Sequence, residues 1–142
     1  MNSRVAGEVG RLLVTAELLR HGFGVARPEC DDGFDLISVK RASTRRIQVK
    51  TVSTTQGKKP RPSEEFAIRR LRCRKGREKK TEDKCKYTAD EIDAFVFVSL
   101  VTSNFWVVPI AEINLHGHSL SMRPENRWHE AWHLLEEDSD AA

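Results

Sequence analysis

Eight consecutive residues, Ala94-Phe95-Val96-Phe97-Val98-Ser99-Leu100-Val101, are apolar but for one serine, and that run sets the architecture. A strand with one wet face alternates apolar with polar residues, whereas an unbroken apolar run of this length fits a strand buried on both faces. Layers must therefore cover the sheet on either side. The turn Thr102-Ser103-Asn104 leads into a partner strand, Phe105 to Pro109. Residues 3 to 21 carry helical periodicity, with Val5, Val9, Leu12, Leu13, Ala16 and Leu19 as one apolar stripe. Asn2 or Ser3 caps its start, and Gly22 sits where a C-terminal cap belongs. Phe23 to Arg27 reads as a short strand stopped by Pro28, Phe66 to Leu71 as another, and Glu125 to Glu137 as a closing helix. The expectation is an α/β fold: a mixed central β-sheet flanked by an N-terminal and a C-terminal helix. At 142 residues this is one domain with one core.

The polar residues of the early strands are the chemically informative ones. Asp31-Asp32-Gly33 supplies turn chemistry, Asp35-Leu36-Ile37-Ser38-Val39 reads as a strand, and Ile47-Gln48-Val49-Lys50-Thr51 as its neighbour. The basic stretch Lys40 to Arg46 between them reads as the hairpin connection. Side chains on a strand alternate faces, so Gln48 and Lys50 point one way while Ile47 and Val49 point the other. An acid at the head of one strand thus meets an amide and an amine on the next. A carboxylate holds a hard divalent cation, an amide oxygen adds a neutral ligand, and the ammonium stabilises developing negative charge. That set suits hydrolysis of a phosphodiester. The plainer reading makes Asp35 a turn acid and Gln48 and Lys50 exposed strand residues, but a charge entering a packed strand needs a partner.

Charge is unevenly spread. Residues 40 to 86 hold 18 of the 24 basic residues and 5 of the 21 acids, a local balance of +13 that leaves the rest of the chain at −10. A basic middle on an acidic body marks a surface for a polyanion. Residues 53 to 86 form a basic excursion within the single domain, and the grip on a polyanion is expected from Lys58, Lys59, Arg61, Arg69, Arg70, Arg72, Arg74, Lys75, Lys79 and Lys80. A solvated loop without a binding role is the competing view. Cys30, Cys73 and Cys85 are an odd number without a CxxC pair, which argues against a zinc site or disulfide framework. No apolar run approaches the roughly 20 residues that span a bilayer, and no signal-peptide core opens the chain. A soluble protein of a reducing cytosol or nucleoid is expected.

The strand pair resembles the core of the PD-(D/E)XK nuclease superfamily, whose motif is an acid, a variable gap, then acid-X-Lys. The resemblance extends through Gly7-Glu8, Ala16-Glu17-Leu18-Leu19-Arg20-His21-Gly22-Phe23, Asp32-Gly33-Phe34-Asp35-Leu36-Ile37, Ile92-Asp93-Ala94-Phe95-Val96, Trp106-Val107-Val108-Pro109-Ile110 and Trp128-His129-Glu130-Ala131-Trp132. Together these look like the branch of group I intron-encoded homing endonucleases and related phage and bacterial enzymes. Phe34 stands where the motif name has proline, and Gln48 replaces the second acid, a variant characteristic of this branch. The resemblance implies a restriction-endonuclease-like core and a metal-dependent endonuclease acting on double-stranded DNA. Its cofactor would be Mg²⁺, with Mn²⁺ as a substitute. Asp35, Gln48, the Val49 carbonyl and Glu8 would serve the metal, and Lys50 the chemistry. It also implies a homodimer or homotetramer joined through the C-terminal strands and helix.

Glu8 is preferred to Glu17 as the helix acid. At about 100° per residue it flanks the Val5 and Leu12 edge of the stripe, toward the N-terminal end, where the helix dipole favours a carboxylate. Two rivals stand beside this reading: a DNA-binding protein that has lost catalysis, and a structure-selective junction resolvase. His129 and His133, four apart on the expected helix, lack a third metal ligand and read as a surface pair. Trp128 and Trp132 read as core or subunit contacts.

Overall fold

The computed structural model of the chain describes residues 1–30, 33–53, 64–71, 84–113, 117 and 119–136. Helix α1 (Ser3–Arg20) starts where Asn2 Oδ1 accepts the Val5 N–H at 2.9 Å. It ends in a Schellman turn: Phe23 N–H donates to the Leu18 carbonyl and Gly22 N–H to the Leu19 carbonyl, with Gly22 at φ +84°. Leu18 and Phe23 then pack in the same core, so the cap also aims the chain into β1 (Gly24–Ala26).

β2 (Leu36–Lys40) and β3 (Ser43–Val52) form an antiparallel hairpin with Lys40 opposite Ser43. The connection is therefore only Arg41-Ala42, with Arg41 at φ +54°, rather than the whole stretch Lys40 to Arg46. Arg45 and Arg46 belong to β3, and Arg46 is already engaged. Its backbone N–H and Nε donate to Asp93 Oδ2 at 2.7 and 3.1 Å, and Nη2 donates to Asp93 Oδ1 and the Ala89 carbonyl.

β4 (Glu64–Ala67), β5 (Arg69–Leu71) and β6 (Lys84–Lys86) follow, then β7 (Ala94–Ser99) and β8 (Phe105–Pro109). The main sheet runs β1-β2-β3-β7-β8; β3 and β7 are parallel and the other pairs antiparallel. Every residue of β7 is buried, as its unbroken apolar run requires. One face of the sheet packs Ile47, Val49, Val96 and Val98 against Val14 and Leu18 of α1 and against Trp132 and Leu135. The other packs Phe95, Phe97, Trp106 and Val108 against Phe66, Tyr87, Ile92, Ile113 and Met122. Two elements not read from the sequence cover that second face: the short helix α2 (Ile110–Ile113), and β9 (Ser119–Met122), which pairs with β4. The expected strand Phe66 to Leu71 is split: Phe66 and Ala67 belong to β4, which pairs with β9, and Arg69–Leu71 form β5, which pairs with β6 in the basic excursion.

Two expectations need correcting. α1 buries Ala6, Gly10, Val14 and Leu18, whereas the expected stripe faces outward, with Val5, Leu12 and Leu19 exposed by 47%, 54% and 58%. A side chain at Gly10 would run into the Thr51 hydroxyl, so the helix lies close on β3 through its smallest residues. Hydropathy scores those residues weakly, and the closest-packed face looks the least hydrophobic. The C-terminal helix is also shorter than the periodicity over Glu125–Glu137 suggests: only Trp132–Leu135 winds, as a 3-10 helix. The preceding backbone serves the sheet edge instead. The Trp128 carbonyl accepts Val107 N–H at 2.9 Å, and Glu130 N–H donates to the Phe105 carbonyl at 3.0 Å. Glu130 has φ +53°, which an α-helix does not accommodate. Accordingly His129 and His133 do not share a helix face, and His129 Nε2 lies 2.9 Å from Asn104 Oδ1. Trp132 is core, 5.8 Å from the Phe105 ring centroid. Among the described residues no helix is long and apolar enough to cross a membrane, and Cys30 is a free, exposed thiol.

Candidate active site

β2 begins at Leu36 opposite Ile47, but β3 runs on to Val52, so the edge of β3 is open past Ile47. Asp35 fills the gap. Its own N–H donates to the Ile47 carbonyl at 2.8 Å, and its Oδ2 accepts the Val49 N–H at 3.0 Å. A carboxylate thus stands in for a missing ladder partner. Gly33, at φ +89°, lets the chain turn into this position from a direction other residues would resist. The N–H and C=O of one strand residue point to the same side, so the Val49 carbonyl faces the same open edge.

Gln48 and Lys50 alternate with the buried Ile47 and Val49, and project on the sheet face of their register partners Phe95 and Phe97. Gln48 is half-buried. Lys50 Nζ lies 3.4 Å from the Tyr87 hydroxyl and 5.3 Å from the centre of its ring. Tyr87 is itself buried, edge-on to Phe95 at 5.2 Å. Burial lowers the Lys50 pKa, and the charge of Asp35 works against that shift.

α1 brings Glu8 and Arg11 to the same corner, one turn apart. Arg11 Nε donates to Glu8 Oε2 at 3.0 Å, Nη2 bonds the same oxygen, and Nη1 reaches Asp35 Oδ1 at 3.5 Å. Arg27 Nη1 holds the other Glu8 oxygen at 3.0 Å. The hydrogen bonds of Arg11 and then Arg27 keep the Glu8 carboxyl below its usual range, and Glu8 in turn raises the Arg11 pKa. Glu17 lies about two and a half turns farther along α1, bonded by Arg20 at 2.8 Å. The structure therefore brings Glu8, Asp35, Gln48, Val49 and Lys50 to one end of the β2–β3 pair. A cleft of about 310 Å³ opens beside Arg11, Arg27, Phe34 and Asp35.

Arg11 and Tyr87 escaped the sequence reading. Arg11 stands three residues after Glu8, a spacing that pairs side chains on a helix. Tyr87 is the only tyrosine of the chain, placed where the basic stretch meets the apolar one. Of the expected DNA contacts, Arg69 donates from Nε to the Gly117 carbonyl at 2.9 Å, and Arg70 sits in β5 opposite Cys85. Lys58, Lys59, Arg61, Arg72, Arg74, Lys75, Lys79 and Lys80 lie outside the described residues.

The donor set fits a hard divalent cation. Carboxylate, amide and backbone carbonyl oxygens suit Mg²⁺, which binds through one or two carboxylates and keeps several waters. Glu8 and Asp35 already converge on one positive charge, that of Arg11. Among the described residues no group of three or more His, Cys, Asp or Glu gathers, here or elsewhere, so the Gln48 amide and the Val49 carbonyl would have to supplement the two acids.

An acid heading one strand and Gln-X-Lys on the next, carried by a mixed sheet with a helix acid beside them, define a restriction-endonuclease-like nuclease core. The sequence matches the PD-(D/E)XK endonuclease family over residues 1–134, and the chain belongs to that family. The solved structure of a bacterial homing endonuclease, I-Ssp6803I, aligns with it at a TM-score of 0.76 and 21% identity, covering 95% of this chain and 93% of that one. At that identity the likeness establishes the shared fold. No match was found among curated proteins.

Proposed function

We propose that the chain is a Mg²⁺-dependent endonuclease that hydrolyses phosphodiester bonds of double-stranded DNA, with residues 1–142 acting as one nuclease domain. The observation that carries this reading is the Asp35 carboxylate, held in the gap of the β3 ladder by Val49 N–H, with Gln48 and Lys50 on the same strand beside it. Asp35, Gln48 and the Val49 carbonyl would hold the cation, with Glu8 completing its shell or acting through its water. When bound, the ion supplies an acidified water and a polarised phosphate. Val49 N–H fixes one Asp35 oxygen and leaves the other turned toward Arg11 and the cleft. Lys50, drawn out of bulk water and steadied by Tyr87, presents its ammonium where negative charge develops on the phosphate oxygens. Mn²⁺ would substitute, having the same preference for oxygen donors.

The basic excursion of residues 53–86 would grip the duplex. The solved neighbour is titled a homing endonuclease, which favours site-specific cutting over general degradation. So small a protomer presents one site, and cutting both strands calls for a homodimer or homotetramer. A nucleoid-associated, cytoplasmic enzyme is the setting this implies. Plasmid cleavage in Mg²⁺ or Mn²⁺, run beside gel shifts in Ca²⁺, tests the reading. Asp35→Ala and Lys50→Ala should abolish cleavage by at least about a hundredfold, the scale of losing a charged catalytic group, while still binding DNA. Full cleavage by either variant would remove the assignment. A parent that binds duplex DNA but never cuts it would instead leave a DNA-binding protein on a nuclease fold.

A further inference from the structure

Between the two acids of the site stands a cation that the chain carries itself. The Arg11 guanidinium is fastened to Glu8 Oε2 through Nε and Nη2, and touches Asp35 Oδ1 only loosely, at 3.5 Å through Nη1. Asp35 Oδ2 accepts the Val49 N–H, so Oδ1, turned toward Arg11, is the less engaged oxygen. A divalent ion needs that oxygen at about 2.0–2.5 Å. A second cation on the oxygen that Arg11 touches would stand close to the guanidinium, and the two like charges would repel. Arginine does not lose its proton in proteins, so Arg11 cannot yield by neutralising. It must move. With 34% of its side chain exposed and the cleft next to it, it has room to do so.

We propose that Arg11 is a built-in counter-ion that bridges Glu8 and Asp35 in the metal-free protein and is displaced from Asp35 when a divalent cation loads. This rests on the metal-dependent reading above. The bridge keeps two acids from repelling one another before the metal arrives, and it makes loading a competition rather than a simple filling of an empty site. The fork of a guanidinium suits it, because its donors are spread widely enough to reach two carboxylates at once.

Arg27 provides the internal control. Its Nη1 holds Glu8 Oε1 at 3.0 Å, yet no bond from it reaches Asp35. Removing Arg27 therefore takes one positive charge from the same acid without opening the bridge. The experiment is calorimetric titration of Ca²⁺ and Mn²⁺ into the metal-free protein, for the parent, Arg11→Gln, Arg11→Lys and Arg27→Gln. Displacement requires Arg11→Gln to bind about tenfold tighter, the scale on which groups bonded to a metal's ligands tune affinity. Arg11→Lys should also bind tighter, because it keeps the charge but cannot span both acids. Arg27→Gln should shift by less than half that factor on a logarithmic scale. Equal tightening by Arg11→Gln and Arg27→Gln, with Arg11→Lys like the parent, would reduce Arg11 to a nearby charge and overturn the bridge. Unchanged or weaker binding in both Arg11 variants would overturn it too. Parent cleavage in Mn²⁺, measured separately, tells whether the nuclease reading survives either result.

Discussion

Asp35 does two things with one carboxylate: it completes the β3 edge through Val49 N–H and offers its second oxygen to the site. Among the described residues its neighbour Gln48 shows no such bond, so chemistry should dominate when it is changed. Gln48→Glu retains an oxygen ligand and should cleave within about tenfold of the parent, whereas Gln48→Leu loses the ligand and should fall well below it in plasmid nicking assays. The extra carboxylate should also move the acid limb of the pH profile upward, since a like charge disfavours ionisation nearby. If Gln48→Leu nicks like the parent, the amide is a bystander. A purely structural acid gives the contrasting case. Burial alone would raise the Asp93 pKa, but the side-chain and backbone hydrogen bonds of Arg46 outweigh it and hold the carboxyl below its usual range. A carboxyl lowered on folding contributes stability above its unfolded pKa, near 4, and loses it as pH falls through the folded value. Asp93→Asn should therefore cost about 1–2 kcal/mol at pH 7, with the gap from the parent narrowing below pH ~4. Urea midpoints measured across that range check the sign; a gap that widens in acid would contradict it.

At the scale of elements, α1 decides how the helix acid meets the strands, and its orientation can be tested with adjacent leucines. Leu18 is fully buried and Leu19 is 58% exposed. Leu18→Ala should cost about 2–4 kcal/mol and Leu19→Ala no more than about 0.5 kcal/mol in chemical denaturation. The reverse ranking would restore the stripe that periodicity alone suggests. Strands were legible where the pattern was strong: β7, β8, the β2–β3 pair and β1 follow from β-branched runs bounded by turn residues. The placing of Asp35 beside Gln48 and Lys50 was legible too, because the three sit at fixed positions of that pair. α1 was legible as a helix but not in its facing, since close packing through Ala6 and Gly10 carries little hydropathy signal. β9, α2 and the edge-capping segment around Trp128 depend on partners far away in sequence, β4 and β8 among them, so local pattern could not reveal them. Arg11 and Tyr87 were invisible for the same reason: each matters only through what the fold sets beside it.

Across the whole molecule, the charge is divided between an acidic body and a positive stretch of 13 basic residues against 5 acids in residues 53–86. If about six of those cations meet phosphates, the log–log salt slope of duplex binding should be near −5. Neutralising Lys79, Lys80, Lys84 and Lys86 together should flatten that slope and weaken binding to every sequence alike. Equal slopes for the quadruple variant and the parent, read by fluorescence anisotropy over a salt series, would move the DNA contacts elsewhere. The place of that stretch follows from the one parallel junction in the sheet, β3 with β7. Parallel neighbours cannot be joined by a tight hairpin, so the chain must make a long crossover between Val52 and Ala94. Closing a long flexible loop grows costlier only with the logarithm of its length, about 0.6 kcal/mol per doubling. The most cationic part of the protein is thus the part whose length the sheet constrains least. Descendants of such a gene could lengthen or trim that crossover between its packed strands, and so change what they grip, while β4, Tyr87 and the strand bearing Gln48 and Lys50 stay in place.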